Sequence, residues 1–256
     1  MRVIGGSLVV LSGFACACGG DSSGNDVTDS ADDERIGDDA DAPDAAPCPD
    51  DMVLWEGACI DRHEAPNRAG DLPLVMYTFV DADAWCASRG KRLCFDDEWL
   101  AACEGPDADP FPYGPTLVPG ECNDDETWRT YDQDLLNGWP SSGASSPDVE
   151  SVADLLAAAR AVSTTAAAAA DHVESLYQGE PAGSNAGCVG AAGVFDLVGN
   201  VEEWTRRRDG GSGPEFHGAL KGRYWAESRT CQSAVTAHGD GFRFYEIGFR
   251  CCRDPE

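Results

Sequence analysis

Residues 193–204 read G-V-F-D-L-V-G-N-V-E-E-W, and residues 248–251, close to the end of the chain, read G-F-R-C. In the first stretch, glycines, an asparagine and acidic residues alternate in a fixed order with Val, Leu and Trp. A pattern of this length and order does not arise from composition alone. The two stretches together therefore decide which fold we expect.

Three further stretches occur in a consistent order along the chain. In the first, residues 59–64 read C-I-D-R-H-E. The second contains W-C at 85–86, G-K-R-L at 90–93 and D-E-W at 97–99. In the third, P-Y-G at 112–114 precedes C-N at 122–123. With the first two stretches, these make the chain resemble the formylglycine-generating, or sulfatase-modifying factor, family over residues 48–253. The resemblance implies a loop-rich α+β domain of C-type-lectin-like fold, stabilised by disulfides.

The chain is strongly acidic, with a net charge of -28 and a pI of about 4.2. Nucleic acid is excluded as a partner, because phosphate binding needs clustered Lys and Arg. We interpret the carboxylates as a solvated acidic surface, with a dedicated cation-binding role as the alternative. A length of 256 residues suffices for one sizeable core, or for one domain with tails.

The N-terminus is typical of a bacterial lipoprotein signal. One Arg and a short apolar run precede small residues and a cysteine, and the run is too short to span a bilayer. We expect Cys18 to be lipidated, with Cys16 as the alternative and an ordinary cleaved signal peptide as a second one. Residues 1–18 are then the signal peptide, 19–47 a disordered acidic linker and 48–256 the domain. This predicts an exported protein anchored to a membrane, facing the periplasm or the cell surface.

Twelve cysteines less Cys16 and Cys18 leave an even number, and export favours disulfides among them. The sequence has no C-x-x-C pair, which argues against structural zinc. The family resemblance implies the pairs Cys86–Cys251 and Cys103–Cys231. Proximity in sequence suggests Cys48–Cys59, and elimination leaves Cys122–Cys188 and Cys94–Cys252, although sequence alone cannot fix the connectivity.

Helical patterns occur at three places. Residues 81–89 precede Gly90, which suits a helix closed by a glycine, and residues 96–103 begin with acids that favour a helix N-terminus. Residues 146–178 are absent from the family pattern. There, Ser146-Pro147 suits an N-cap and first turn, and one helical face carries apolar residues, namely Val149, Val152, Leu155, Leu156 and Ala159. We interpret this insertion as a helical hairpin or a partly frayed helix; the alternative is an alanine-rich segment without function.

The resemblance also implies structural calcium, which takes carboxylate and carbonyl oxygens as ligands. Its ligands would be the side chains of Asp196 and Glu203 and the backbone oxygens of Gly199 and Val201. Asn123 matches a side-chain ligand of a second calcium site in the family. The alternative is that Asp196 and Glu203 only cap and brace the turn.

Catalysis in this family is copper-dependent oxidation by a pair of cysteines, since two close thiolates bind Cu(I). The matching positions hold Lys221 and Ala226. Neither thiol is present, so copper and formylglycine generation are not expected. A weaker alternative makes Cys231 a lone catalytic thiol. The histidines are scattered and do not suggest an iron site: His63, His172, His217 and His238. Trp204 and Trp225 would line the family's cleft or belong to the core.

These observations favour an extracytoplasmic lipoprotein whose domain binds a peptide, a glycan or an envelope protein without catalysis. Formylglycine generation, or a related metal-dependent oxidation of protein substrates at a different metal site, is the alternative. A purely structural envelope lipoprotein is the third possibility.

Overall fold

Two four-stranded sheets frame the domain. The computed structural model describes residues 47–256, so the predicted signal peptide with Cys16 and Cys18, and nearly all of the predicted linker, lie outside the described residues. The first sheet has the strand order β1-β2-β8-β3, and the second has the order β6-β5-β4-β7. The strands are β1 Met52–Trp55, β2 Ala58–Asp61, β3 Arg92–Leu93, β4 Glu202–Arg206, β5 Gly218–Lys221, β6 Ala234–Val235, β7 Ile247–Phe249 and β8 Cys251–Arg253.

The last two strands join the two sheets. β7 pairs in parallel with β4, whereas β8 pairs antiparallel with β2 and β3. Only Arg250 separates β7 from β8. The G-F-R-C stretch is therefore the point where the chain crosses from the second sheet to the first, and Arg250 lies at the crossing.

Residues 47–256 also form five helices: α1 Phe79–Ala87, α2 Asp96–Glu104, α3 Gln133–Leu136, α4 Val152–Val162 and α5 Thr164–Leu176. α1 begins two residues earlier than predicted, because Thr78 Oγ1 accepts a hydrogen bond from the backbone N–H of Asp81 at 3.0 Å and fixes the N-cap. α2 has the predicted acids in its first turn.

The insertion forms two helices, but the predicted N-cap at Ser146 is wrong. Helix α4 is capped by Ser151, whose Oγ accepts from the backbone N–H of Asp154 at 3.1 Å. The preceding residues are held to α1 and to the residue just after it instead: Trp85 Nε1 donates to the carbonyl of Val149 at 2.9 Å, and Arg89, which follows the C-cap of α1, donates to the carbonyl of Pro147 at 3.0 Å. These tertiary bonds use backbone groups that a longer helix would need.

The core has two parts. The larger one contains the fully buried Trp85, Trp204 and Trp225, and the apolar face of α4 packs into it, so both tryptophans of the family cleft are core residues here. The smaller part surrounds Trp99 and includes six half-cystines: Cys94, Cys103, Cys122, Cys188, Cys231 and Cys252. Disulfides thus contribute much of the packing where aliphatic residues are few.

All ten cysteines in residues 47–256 form disulfides. The pairs are those set out above: Cys48–Cys59, Cys86–Cys251, Cys94–Cys252, Cys103–Cys231 and Cys122–Cys188. Cys86–Cys251 and Cys94–Cys252 attach α1 and the segment after β3 to the last strand. The C-terminal strand is therefore fixed by covalent bonds as well as by backbone pairing.

We expect the double substitution Cys86→Ala/Cys251→Ala to reduce the free energy of unfolding by about 2 to 5 kcal/mol. The bridge spans 165 residues, so its loss frees a long loop in the unfolded chain. The matched control is Cys48→Ala/Cys59→Ala, whose bridge spans 11 residues and whose loss should cost less. Denaturant unfolding without reductant measures both, and a larger loss from the control pair would contradict the expectation.

Candidate functional site

The turn at residues 196–200 depends on unusual backbone conformations. Asp196, Gly199 and Asn200 have φ values of 58°, 77° and 53°, in the left-handed region that glycine adopts most easily. At Gly199 a Cβ atom would also collide with the backbone oxygen of Asn123. The G-N pair in the sequence is thus explained by close contact between this turn and residue 123.

Asn200 connects four segments of the chain. Its Nδ2 donates to Glu64 Oε1 at 2.9 Å, while its Oδ1 accepts from Asn123 Nδ2 at 3.1 Å and from the backbone N–H of Glu180 at 2.8 Å. Its side chain is buried. Buried amides are stable only when they are hydrogen-bonded in this way, so Asn200 holds the turn against the surrounding loops.

Glu203 forms a buried ion pair with Arg250. Arg250 Nε donates to Glu203 Oε2 at 2.7 Å and Nη2 donates to Oε1 at 2.5 Å. Trp99 Nε1 donates to Glu203 Oε2 at 2.9 Å, and Arg250 also donates to the carbonyl of Phe195 at 3.0 Å. Both charged side chains are almost completely excluded from solvent. The paired, bidentate geometry is what allows these charges to be buried.

Two further carboxyl groups lie near this ion pair. Burial raises the pKa of Glu64 well above its ordinary value, and the neighbouring Asp196 raises it further. Burial also raises the pKa of Asp196 to about 6, although a hydrogen bond of 2.7 Å from the backbone N–H of Gly183 opposes the shift. Arg250 lowers the pKa of Glu64 in part, but burial and the charge of Asp196 outweigh it.

The residues present do not fit the calcium site that the resemblance implied. Both oxygens of Glu203 accept from Arg250, so this carboxylate is unavailable as a ligand. Without Glu203, Asp196 is the one charged ligand beside the carbonyls of Gly199 and Val201, so most of the six to eight oxygens that calcium takes would have to come from water. Asn123 donates its side-chain amide to Asn200 and to the carbonyl of Gln178. Across residues 47–256, no three His, Cys, Asp or Glu side chains are grouped to hold a metal ion.

The positions matched to the catalytic thiols contain no sulfur. Lys221, at the end of β5, is buried, and its Nζ lies 5.4 Å from the centroid of the Trp99 ring. Burial lowers the pKa of Lys221. Ala226 is partly buried. Cys231 is bonded to Cys103, which excludes the alternative of a lone catalytic thiol in this structure.

The four histidines are separated, as their sequence positions suggested. His63 stacks on Phe195, and His238 stacks on Phe242 with ring centroids 3.8 Å apart. His217 Nδ1 lies 2.6 Å from a carboxylate oxygen of Asp240. His172 accepts a hydrogen bond from the backbone N–H of Asp132. Each has a separate structural contact.

Sequence reasoning missed a buried polar cluster between β5 and β7. Nε1 of Trp225 has no hydrogen-bond partner among the described residues, and the hydroxyl of Tyr245 lies beside the carboxyl group of Glu246. Burial and the nearby Glu202 raise the pKa of Glu246 to about 8. The residues come from segments some twenty positions apart, so no local pattern in the sequence could have shown the cluster.

We expect calcium and chelator to give equal melting temperatures, because Glu203 is bonded to Arg250. Glu203→Gln should lower the free energy of unfolding by about 3 to 5 kcal/mol in either condition, since it leaves Arg250 buried without a countercharge. The control Glu227→Gln removes a partly exposed carboxylate from Arg223 and should cost about 1 kcal/mol or less. A wild-type melting temperature that rises with calcium, and a variant that does not respond, would support the metal site instead.

A second prediction concerns pH. The pKa of Glu246 rises from 4.5 to about 8 on folding, so its protonated form favours the folded state. This contribution is complete below pH 4.5 and is lost as the pH rises to about 8. The groups around the carboxyl are Glu202, Glu227, Arg223 and Tyr245. As the pH rises from 4.5 to about 8, the free energy of unfolding of the wild type should fall relative to that of Glu246→Gln. Parallel unfolding curves for the two proteins across that range would contradict this.

Comparison with known proteins gives a family. The family model described as "Sulfatase-modifying factor enzyme 1-like domain" matches residues 26–255. One curated relative is the inactive C-alpha-formylglycine-generating enzyme 2 of Mus musculus, 26% identical over 159 residues. That match covers 62% of this chain and 39% of the mouse protein, so the chain spans well under half of that relative.

Similar solved structures share little sequence with the chain. The structure of CarF is 13% identical with a TM-score of 0.49, and the match covers 78% of this chain and 87% of CarF. PvdO from Pseudomonas aeruginosa is 19% identical with a TM-score of 0.42, over 78% of this chain and 69% of PvdO.

The family match covers nearly all of the described domain. It confirms the predicted loop-rich α+β fold of C-type-lectin-like type, in which the two motif stretches form the turn at residues 196–200 and the crossing at Arg250. The chain belongs to the sulfatase-modifying factor enzyme 1-like family.

Proposed function

We propose that this protein is a non-catalytic member of its family, exported and lipid-anchored, whose domain binds a peptide, a glycan or a protein. One observation carries the proposal. Every cysteine in residues 47–256 is part of a disulfide, and the positions matched to the oxidase thiols hold Lys221 and Ala226.

The chemistry of copper explains why this matters. Cu(I) is bound by soft thiolate ligands, and a disulfide sulfur has no negative charge to offer. An ammonium group at Lys221 would repel a cation, and Ala226 has no ligand atom. The carboxyl-rich turn near Glu203 offers no replacement, because Glu203 is paired with Arg250 and burial raises the pKa of Glu64 and of Asp196, which opposes their charged forms.

The related mouse protein is described as inactive, which supports the proposal that this chain is non-catalytic as well. The similarity is modest, however, and covers only part of that protein. The missing thiols of this chain therefore carry the argument, and the relative adds to it.

Location follows from the cysteines and the N-terminus. Five disulfides are typical of an oxidising compartment outside the cytoplasm. In residues 47–256 no helix combines the length and the apolar character needed to cross a bilayer. The sequence before the domain supplies the proposed anchor at Cys18, followed by an acidic tether.

We expect the purified full-length protein, incubated with copper and a cysteine-containing sulfatase peptide in air, to form no peptide aldehyde. An active formylglycine-generating enzyme is the positive control in the same assay. After removal of free metal, copper bound per protein should be far below one equivalent, because no thiol pair is available. Stoichiometric copper together with aldehyde formation, measured by peptide mass, would overturn the proposal.

A further inference from the structure

A pocket of about 330 Å³ lies between α3 with its following turn and residues 241–244. Its volume falls within the range of small-ligand sites. Met76, Leu136 and Trp139 line it and are buried, and Phe242 and Phe244 form a wall with ring planes only 15° apart. One side of the pocket thus comes from residues 133–141, which precede the insertion, and the other from residues 241–244.

The pocket differs in charge from the rest of the protein. Among residues 47–256, Arg243 is the one charged residue that lines it, although the chain has 46 acidic and 18 basic residues. The guanidinium makes no hydrogen bond within residues 47–256; its contact with Asp81 is an ion pair of 3.5 Å. The fork of N–H donors is therefore available, and such a fork matches a carboxylate in bidentate geometry.

Polar side chains occupy the rim. Gln133 Nε2 donates to Asn137 Oδ1 at 2.9 Å, which leaves the carbonyl oxygen of Gln133 and the amide N–H groups of Asn137 to bond elsewhere. Ser141 adds an exposed hydroxyl. These groups offer both donors and acceptors at the mouth of the pocket.

Two features mark the pocket. Trp139, which lines it, is more than nine-tenths buried and belongs to the larger core, so this part of the lining is held in place by packing. Met76 has a φ of 63°, a strained conformation for a residue other than glycine. Strained residues of this kind cluster at functional sites.

We infer that this pocket binds an acidic saccharide, a sugar ring that carries a carboxylate. Arg243 would hold the carboxylate, Phe242 and Phe244 would contact the apolar face of the ring, and Gln133 with Asn137 would bond its hydroxyls. A peptide with a C-terminal aromatic residue also offers a carboxylate and a flat face. The polar rim favours the saccharide, because sugar hydroxyls can bond directly to the amides of Gln133 and Asn137, which an aromatic side chain cannot do.

The inference deepens the proposed function, on which it rests for the premise that the domain binds a ligand instead of oxidising one. The acidic surface of the protein repels anionic ligands at long range. Salt screens that repulsion beyond about 8 Å at physiological ionic strength, whereas a contact inside the pocket is screened much less.

Titration calorimetry of the full-length protein with trigalacturonate tests the inference. Binding should be measurable and should weaken about tenfold to a hundredfold in Arg243→Gln, which removes the charged hydrogen bonds. Asn137→Ala should weaken it about threefold to tenfold through a neutral hydrogen bond. The matched control Arg229→Gln removes an exposed arginine outside the pocket and should bind like the wild type. Unchanged melting temperatures establish that the variants fold.

Maltotriose, a neutral trisaccharide, should bind at least about tenfold more weakly than trigalacturonate, since it lacks the carboxylates. A peptide ending in phenylalanine should bind more weakly still. Equal binding of the neutral sugar, tighter binding of the peptide, no binding of trigalacturonate, or an equal loss in Arg229→Gln would each overturn the inference. Aldehyde formation in the oxidase assay would instead contradict the proposed function, whichever sugar binds, so the two failures are distinguishable.

Discussion

The buried ion pair between Glu203 and Arg250 is the interaction on which the rest of the structure depends. Glu203 lies in β4 of the second sheet, and Arg250 lies where the chain crosses from β7 to β8 of the first. The guanidinium reaches the carbonyl of Phe195, beside the turn, and Trp99 from α2 completes the carboxylate's hydrogen bonds. One pair of charges thus connects both sheets, a helix and the turn, and removing either partner leaves the other buried without compensation.

Around this pair the protein uses covalent bonds where a larger core would otherwise be needed. The five disulfides hold loops that carry little regular structure, and half-cystines form much of the smaller core. The same bonds determine what chemistry is available. A cysteine in a disulfide has no thiolate with which to bind copper. In residues 47–256 the cysteines therefore stabilise the fold and cannot also serve in copper-dependent oxidation.

The fold could be predicted from particular residues, whereas the roles of several others could not. The motif stretches at 193–204 and 248–251 were enough for the family and for the α+β architecture, and the spacing of Leu155, Leu156 and Ala159 predicted a buried helical face that is observed. The predicted start of that helix was wrong, because the carbonyl of Val149 bonds to Trp85 in α1 and the carbonyl of Pro147 bonds to Arg89, just after α1. Such tertiary competition leaves no trace in local sequence.

The partner of Glu203 was hidden from the sequence for a related reason. Glu203 and Arg250 both stand in the motifs, yet the sequence does not say which cation neutralises the glutamate, since the answer depends on the distance between positions 47 residues apart. The pocket at Arg243 was missed because it combines α3 with a loop about one hundred residues later. Sites assembled from distant segments need the fold before they can be recognised.

The central claim is that this domain has the fold of its family but lacks the free thiols that copper-dependent oxidation needs. Alkylation of the native, unreduced protein, followed by mass spectrometric mapping of every cysteine, tests that claim most directly. We predict no label at any of the ten cysteines from Cys48 to Cys252. Stoichiometric labelling of two of them that lie close together in the fold would contradict the account.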